Sequence, residues 1–506
     1  MAQSKWTDQT NMSMLVDFYE LTMGQGYYNG QFINKIAYFD LFFRSVPEGG
    51  GYAICAGLEQ AIDYLQNISF SPEDIKYLKD KNIFNEAFLD YLKTFKFTCD
   101  VWAVPEGSVV FPGEPLMKVR GPIIQAQMIE TMLLTTLNHQ SLIATKASRV
   151  VRAAQGRSVF EFGARRAQSY DAAVLGARAA YVAGVSATSC TIAGRQFDIP
   201  VFGTMAHSWV QLFDSEYEAF ESYARSFPDQ TLLLVDTYNV LTQGIPNAIA
   251  IHNNILKPMG KSLKGIRIDS GDLTYLTQRA RQMLDDAGLQ SCKITVSNAL
   301  DEYLIRELLV QGACIDAFGV GERLITSRAE PVFGGVYKLS AIEVKDEIEP
   351  RMKVSENIGK VTHPCSKELI RFYDNDSGKA LADLLMVAGE SLPVGDPYEI
   401  FDPIETWKRK VLTNYSARRL LEPIFVNGRC VYDRPSIEQL RTYCKSEMDT
   451  LWDSVKRFEN PQTYYVDLSS KLWDIRNTLL HRHMKNMRKG KEEDGACDYG
   501  PAPNKK

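Results

Sequence analysis

The 506-residue sequence predicts an α/β fold, and three observations carry that expectation. From about residue 156 to 345, short β-rich segments alternate with helical stretches. Six of those segments are apolar in their bodies and end in polar, charged or glycine-rich residues. The residues ahead of this region lack the alternation and mix small strands with helices. Strands alternating with helices imply a parallel sheet with right-handed crossovers. So many units in so short a stretch point to a closed or nearly closed α/β barrel.

The elements follow in order. IAYFDLFF and GYAICAG, within residues 33–56, are apolar runs broken by VPEGG and read as strands and turns. Residues 57–98 repeat apolar residues at three-to-four spacing and read as helices. VWAVPEGSVVFPGEPLMKVRGP, residues 101–122, is punctuated by glycine and proline as a small sheet with tight turns would be. Residues 123–154 contain neither proline nor glycine and predict one long helix or two in series, which mark the first domain boundary. In the barrel region, β segments end near Phe162, Phe202, Val235, Ile268, Val296 and Phe318, with another at 335–342. A helix over 273–289 ends in Gly288. Residues 345–395 carry mixed β signals. Ser436 and Gln439 form a capping-box pattern ahead of the helix IEQLRTYCKSEMDTLWDSVKRF. Its stripe of Leu440, Cys444, Met448, Leu451, Val455 and Phe458 predicts packing against the body. The polar tail from about Met487 predicts disorder.

Composition narrows the classes. With 57 Lys and Arg against 62 Asp and Glu, the net charge is −5, so a nucleic-acid backbone is not the expected partner. No run approaches the length of a membrane-spanning helix, and MAQSKWTDQTN has no apolar signal region. The nine cysteines include no C-x-x-C pair, which argues against a disulfide framework and structural zinc. The expected location is cytoplasmic.

The chemistry gathers at the strand ends: EFGARRAQ (161–168), GTMAHS (203–208), VDTYN (235–239), RIDSGD (267–272), VSNALD (296–301) and FGVGER (318–323). In a parallel barrel these ends share one rim, where active sites of such folds lie. Taken singly, each piece has a plain alternative. Arg165 and Arg166 can be a solvated helix start, Asp269 and Asp272 can cap a helix, Gly319 and Gly321 can be turn glycines, and His207 can be a structural histidine. Together they serve three needs. Glycines let backbone N–H groups approach phosphate, arginines grip its oxygens, and carboxylates bind ribose hydroxyls or magnesium. Those needs belong to a phosphorylated ribose.

TNMSMLVDFYELTMGQGY, EFGARRAQSYDAAVLGARAAYVAG, GTMAHSWV, RIDSGDL, VSNALDE and FGGVYKL also resemble the nicotinate phosphoribosyltransferase family, in family order over most of the chain. The resemblance implies a type II phosphoribosyltransferase fold, an irregular α/β barrel beside a smaller N-terminal α/β sandwich. The layout expected from it is a sandwich over residues 1–145 completed by part of 345–395, and a barrel over 146–345. A helical region over 396–486 and a disordered tail over 487–506 follow. A homodimer with shared sites is also implied.

The implied reaction is an ATP-coupled, ligase-classed condensation of nicotinate with 5-phosphoribosyl 1-pyrophosphate, the first step of NAD salvage from nicotinate. It yields nicotinate mononucleotide and pyrophosphate, with ATP as co-substrate and Mg2+ as cofactor. Carried onto this sequence, His207 is the residue ATP phosphorylates, with Asp236 orienting it through the second ring nitrogen. The small residues around His207 leave room for phosphate. Phe162 and Tyr19, the latter from the second subunit, sandwich the pyridine ring, and Arg165 meets the nicotinate carboxylate or the pyrophosphate. Thr204, Arg267, Asp269, Ser270 and Asp272 surround the ribose diphosphate, with magnesium near Asp269 and Asp272. Gly319, Gly321, Gly335 and Lys338 contact phosphate. Ser186, in the GVSAT loop after Gly184, offers a hydroxyl to the acid substrate where a nicotinamide-using relative carries a carboxylate. Two other classes stay open, a Schiff-base lyase on Lys338 and a non-catalytic binding module.

Overall fold

The computed structural model of the protein describes residues 11–355, 360–391, 395 and 397–493, with side chains to residue 483. The chain is mixed α/β. Its parallel sheet has six strands in the order Ala187–Thr188, Ser158–Glu161, Ala317–Val320, Lys293–Asn298, Gly265–Ile268, Leu232–Leu234. These strands are short and apolar because helices flank the sheet. Leu273–Asp286, for example, buries Leu273, Thr277, Ala280 and Leu284 along one stripe. Five of the six expected β segments are ladder strands. The segment ending near Phe202 is only an isolated bridge, Val201 to Thr188. Among the described residues no ladder joins Val201 to Leu232–Leu234, so the hydrogen-bonded sheet is open rather than a closed barrel.

The seventh expected barrel segment lies elsewhere. Gly335–Val344 pairs antiparallel with Ile36–Phe43, placing Lys338 opposite Asp40. It belongs to a seven-stranded antiparallel sheet with Glu347–Pro350, Met117–Pro122, Asp100–Ala103, Glu422–Val426 and Arg429–Cys430. Alternating apolar residues identify a strand but not its partner. Residues 396–486 also differ from the expected helical region. Tyr398–Phe401, Arg409–Leu412, Tyr415–Arg419 and Val466–Leu468 are strands, and Lys367–Asp374 with Ala380–Val387 forms the centre of a four-stranded sheet.

The helical expectations from 57 to 154 correspond to Leu58–Asn67, Pro72–Asp80, Glu86–Lys93, Ile123–Met128 and Glu130–Ala153. The capping box at Ser436 and Gln439 is formed, but its helix stops at Thr450, and Leu451, Val455 and Phe458 reach the core from the turns beyond. The last helix, Ser470–Glu493, continues through residues 487–493 of the expected disordered tail; residues 494–506 lie outside the described residues. Among the described residues no helix is long and apolar enough to cross a membrane.

Candidate active site

All six parallel strands point the same way, so their C-terminal ends form one edge. Helices Tyr170–Val182, Leu273–Asp286 and Glu302–Val310 start at that edge, capped by Ser169, Asp272 and Asp301. Their N-terminal N–H groups make the edge favourable for anions.

His207 opens the short helix His207–Gln211, half-buried, with Nδ1 3.1 Å from the Thr237 hydroxyl. A Cβ built on Gly203 would meet nothing within 4 Å, and Ala206 and Ser208 are exposed, so the loop that carries His207 is open to solvent at these positions. The expected contact with Asp236 is not the one made. Asp236, 7 % exposed, uses Oδ2 to accept from the Asp269 N–H (3.0 Å) and the Ser270 hydroxyl (2.6 Å). Its Oδ1 is buried with no partner among the described residues. Thr237 is therefore the residue the sequence reading missed, and only its place beside Asp236 could have pointed to it.

Arg267 donates from Nη1 to Thr204 Oγ1 (2.7 Å) and from Nη2 to the Met205 carbonyl (3.1 Å), tying the His207 loop to the neighbouring strand. Burial lowers the proton affinity of its guanidinium, opposed by Asp269 and Asp236 and reinforced by Arg165, which places all four charges together. Asp269 also accepts from Ser297. Asp272 serves as a cap, accepting from Tyr275 N–H at 3.0 Å, so for this residue the plain alternative describes the contact observed. Among the described residues no group of three His, Cys, Asp or Glu side chains could hold a metal by itself.

Phe160, Phe162 and Phe202 form a stack, with Phe160 and Phe202 ring centres 4.1 Å apart. Gly319 lies inside its strand, and a Cβ there would meet the Phe162 ring at 2.5 Å. It is glycine because an aromatic ring packs on it. Gly321 is likewise crowded by the Phe162 carbonyl at 3.1 Å. Gly335 gives its N–H to Asn138 Oδ1 at 3.1 Å, and Lys338 donates to the Tyr337 carbonyl (2.7 Å) and faces Glu130 at 3.7 Å. Both sit on the antiparallel sheet rather than a parallel-strand end, which removes the support for a rim Schiff base on Lys338.

Ser186 precedes the strand Ala187–Thr188 and gives its N–H to the Val159 carbonyl at 2.7 Å, back from the edge. Ser189, just past that strand, pairs its N–H with the Glu161 carbonyl (2.9 Å) and is exposed on the edge. Tyr19 is 44 % exposed on helix Phe18–Asn29; burial of its hydroxyl and the carboxylates Glu130 and Glu20 push its pKa up. Glu20 beside it is buried, accepts from Thr131 and is pushed up to about 7, chiefly by burial.

Three family models match this chain. The N-terminal domain model of nicotinate phosphoribosyltransferase (NAPRTase) matches residues 14–138, the NAPRTase family model residues 158–375, and the C-terminal domain model residues 366–476. A Bacillus subtilis (strain 168) protein named nicotinate phosphoribosyltransferase is 40% identical over 486 residues, covering 96% of this chain and 98% of its own. The chain belongs to the nicotinate phosphoribosyltransferase family. A human member is 30% identical over 524 residues, covering 92% of this chain and 96% of its own. The crystal structure of human nicotinic acid phosphoribosyltransferase superposes with a TM-score of 0.81 at 29% identity, covering 92% of this chain and all of that one. The edge carrying His207, Asp236, Arg267 and Asp269 falls inside the segment matched by the family model.

Proposed function

We propose that this chain condenses nicotinate with 5-phosphoribosyl 1-pyrophosphate to give nicotinate mononucleotide and pyrophosphate, with ATP coupled through a phosphohistidine at His207, as the first step of NAD salvage from nicotinate. The observation that carries the reading is the joining of the His207 loop to the acidic loop by Arg267, which bonds Thr204 and Met205 while facing Asp269 and Asp236.

In this reading the pyridine ring lies on Phe162, covered by Tyr19 of the partner subunit in a homodimer. Arg165 and the helix N-termini meet negative charge. The pyridine nitrogen attacks the anomeric carbon as pyrophosphate leaves, so the protein chiefly positions the reactants and stabilises charge. Asp269, with the free oxygen of Asp236, is suited to the Mg2+ that accompanies a diphosphate. Mg2+ keeps several waters and substrate oxygens and needs only one or two protein carboxylates. Asp272 is committed to its helix. The hydroxyl facing the substrate is Ser189 rather than Ser186, and a hydroxyl donates to a carboxylate whereas an acidic side chain repels it.

The test is pyrophosphate release from 5-phosphoribosyl 1-pyrophosphate with nicotinate or nicotinamide, each with and without ATP. Release with nicotinate that ATP stimulates supports the reading. Release that requires nicotinamide instead assigns the chain to the amide-using reaction and overturns it.

A further inference from the structure

A cavity of about 1120 Å³ lies between the strand Ile36–Phe43 and residues 361–363, 402–408 and 460–467. No residue assigned above to the edge lines it. Most of the charges in its wall have partners. Asp40 pairs with Lys367 at 2.6 Å, and Glu405 pairs with Lys408. Asp402 accepts from the N–H groups of Ile404 and Glu405 at 2.8 and 2.7 Å. Asp467 is pushed up to about 6 by burial and by Asp402, against Lys410, which weakens its demand for a cation.

Three groups are left over. Arg476, on the last helix, is 7 % exposed, and among the described residues no hydrogen bond or ion pair reaches its guanidinium; its Nε is fully enclosed. His363 has an enclosed Nδ1 without a partner among the described residues, and burial, Arg476 and Lys367 together hold its pKa down near 3. Arg44, half-buried over the Phe42 ring and without an ion-pair partner among the described residues, lines the same space. A buried guanidinium with no anion is costly to keep. Here three nitrogen-bearing side chains from separate segments face one space in which Asp40, Asp402 and Glu405 are already engaged and Asp467 is pushed toward its neutral form.

We propose that this cavity binds a phosphate monoester carried on a small organic molecule, held by the guanidinium of Arg476 with His363 beside it, as a site separate from the edge. A guanidinium fork grips two phosphate oxygens at once. Donors from several directions suit a tetrahedral oxyanion better than a planar carboxylate. Bare phosphate would leave most of the cavity unfilled, while Phe42, Phe111 and Tyr464 give the apolar wall an organic carrier needs.

The test uses the full chain and ribose 5-phosphate in equilibrium dialysis, with Arg267→Ala to disable the edge and Arg476→Gln to disable the cavity. The expected result is that Arg267→Ala retains one equivalent per chain, and that Arg476→Gln loses this equivalent. Inorganic phosphate should compete for it, and unphosphorylated ribose should not. Absence of binding in Arg267→Ala, unchanged binding in Arg476→Gln, or equal competition by ribose overturns the proposal. Arg476→Lys keeps the charge but not the fork and should weaken binding at least tenfold; unchanged affinity there also counts against it. Failure of the edge reading looks different, because Arg267→Ala would then match the native chain while the Arg476-dependent equivalent persisted.

Discussion

Nδ1 of His207 lies 3.1 Å from Oγ1 of Thr237, one residue beyond the aspartate that the family resemblance assigns to it. A hydrogen bond at Nδ1 fixes the ring and leaves Nε2, which has no hydrogen-bond partner among the described residues, as the nitrogen that can take a phosphoryl group. Thr237→Val should therefore keep the fold and slow phosphorylation of His207. Loss of one hydrogen bond is worth about 1 kcal/mol, about fivefold in rate. Single-turnover labelling with ATP measures it, and Thr237→Ser should restore most of the rate.

Asp236 acts on its own neighbours, holding the Asp269–Ser270 loop in place. Asp236→Ala leaves an N–H and a hydroxyl without their acceptor, which should cost about 1–3 kcal/mol of stability. Urea unfolding at constant slope checks this. Unchanged stability with lost activity would instead indicate that its free oxygen serves only the substrate or its metal.

How much of this was legible in the sequence follows from what each signal encodes. Apolar segments ending in GTMAHS, VDTYN and RIDSGD announced a shared edge, because parallel strands put their polar ends on one side. Which polar residue faces the substrate was not legible. Asp272 and Asp269 look alike in RIDSGD, and only the bond to Tyr275 separates the cap from the site residue. Ser186 and Ser189 flank a strand of two residues, too short for any periodicity, so register alone tells them apart. Gly335 and Lys338 went with a strand whose partner, Ile36–Phe43, lies far away in sequence. Gly319 resembled a phosphate-loop glycine but is required by the Phe162 ring.

That packing gives a further prediction. Gly319→Ala places a methyl group where the Phe162 ring now lies, at a cost of about 1–3 kcal/mol for overpacking. The ring must tilt out of its stack with Phe202, so the KM for nicotinate should rise more than the KM for 5-phosphoribosyl 1-pyrophosphate. Steady-state kinetics with each substrate varied separates the two.

Glu20 gives the fold a pH dependence. Its carboxyl has the ordinary value near 4.5 when unfolded, and in the folded chain burial, with Glu130 adding to it against the Thr131 hydrogen bond, pushes it up to about 7. Between those values the folded state holds a proton that the unfolded state has released, so stability falls as pH rises from 4.5 to 7 and levels off above. Glu20→Gln should lack this component, and thermal unfolding of both proteins across that range reads the difference. Parallel curves for native and variant would exclude it.

The most direct test of the central claim is the fate of the ATP γ-phosphate. Incubation with labelled ATP should put an acid-labile, base-stable phosphate on the native chain and none on His207→Ala, whose ATP-stimulated pyrophosphate release with nicotinate should fall to the rate without ATP. Full ATP-coupled turnover by His207→Ala, or a label that survives that substitution, would contradict the account.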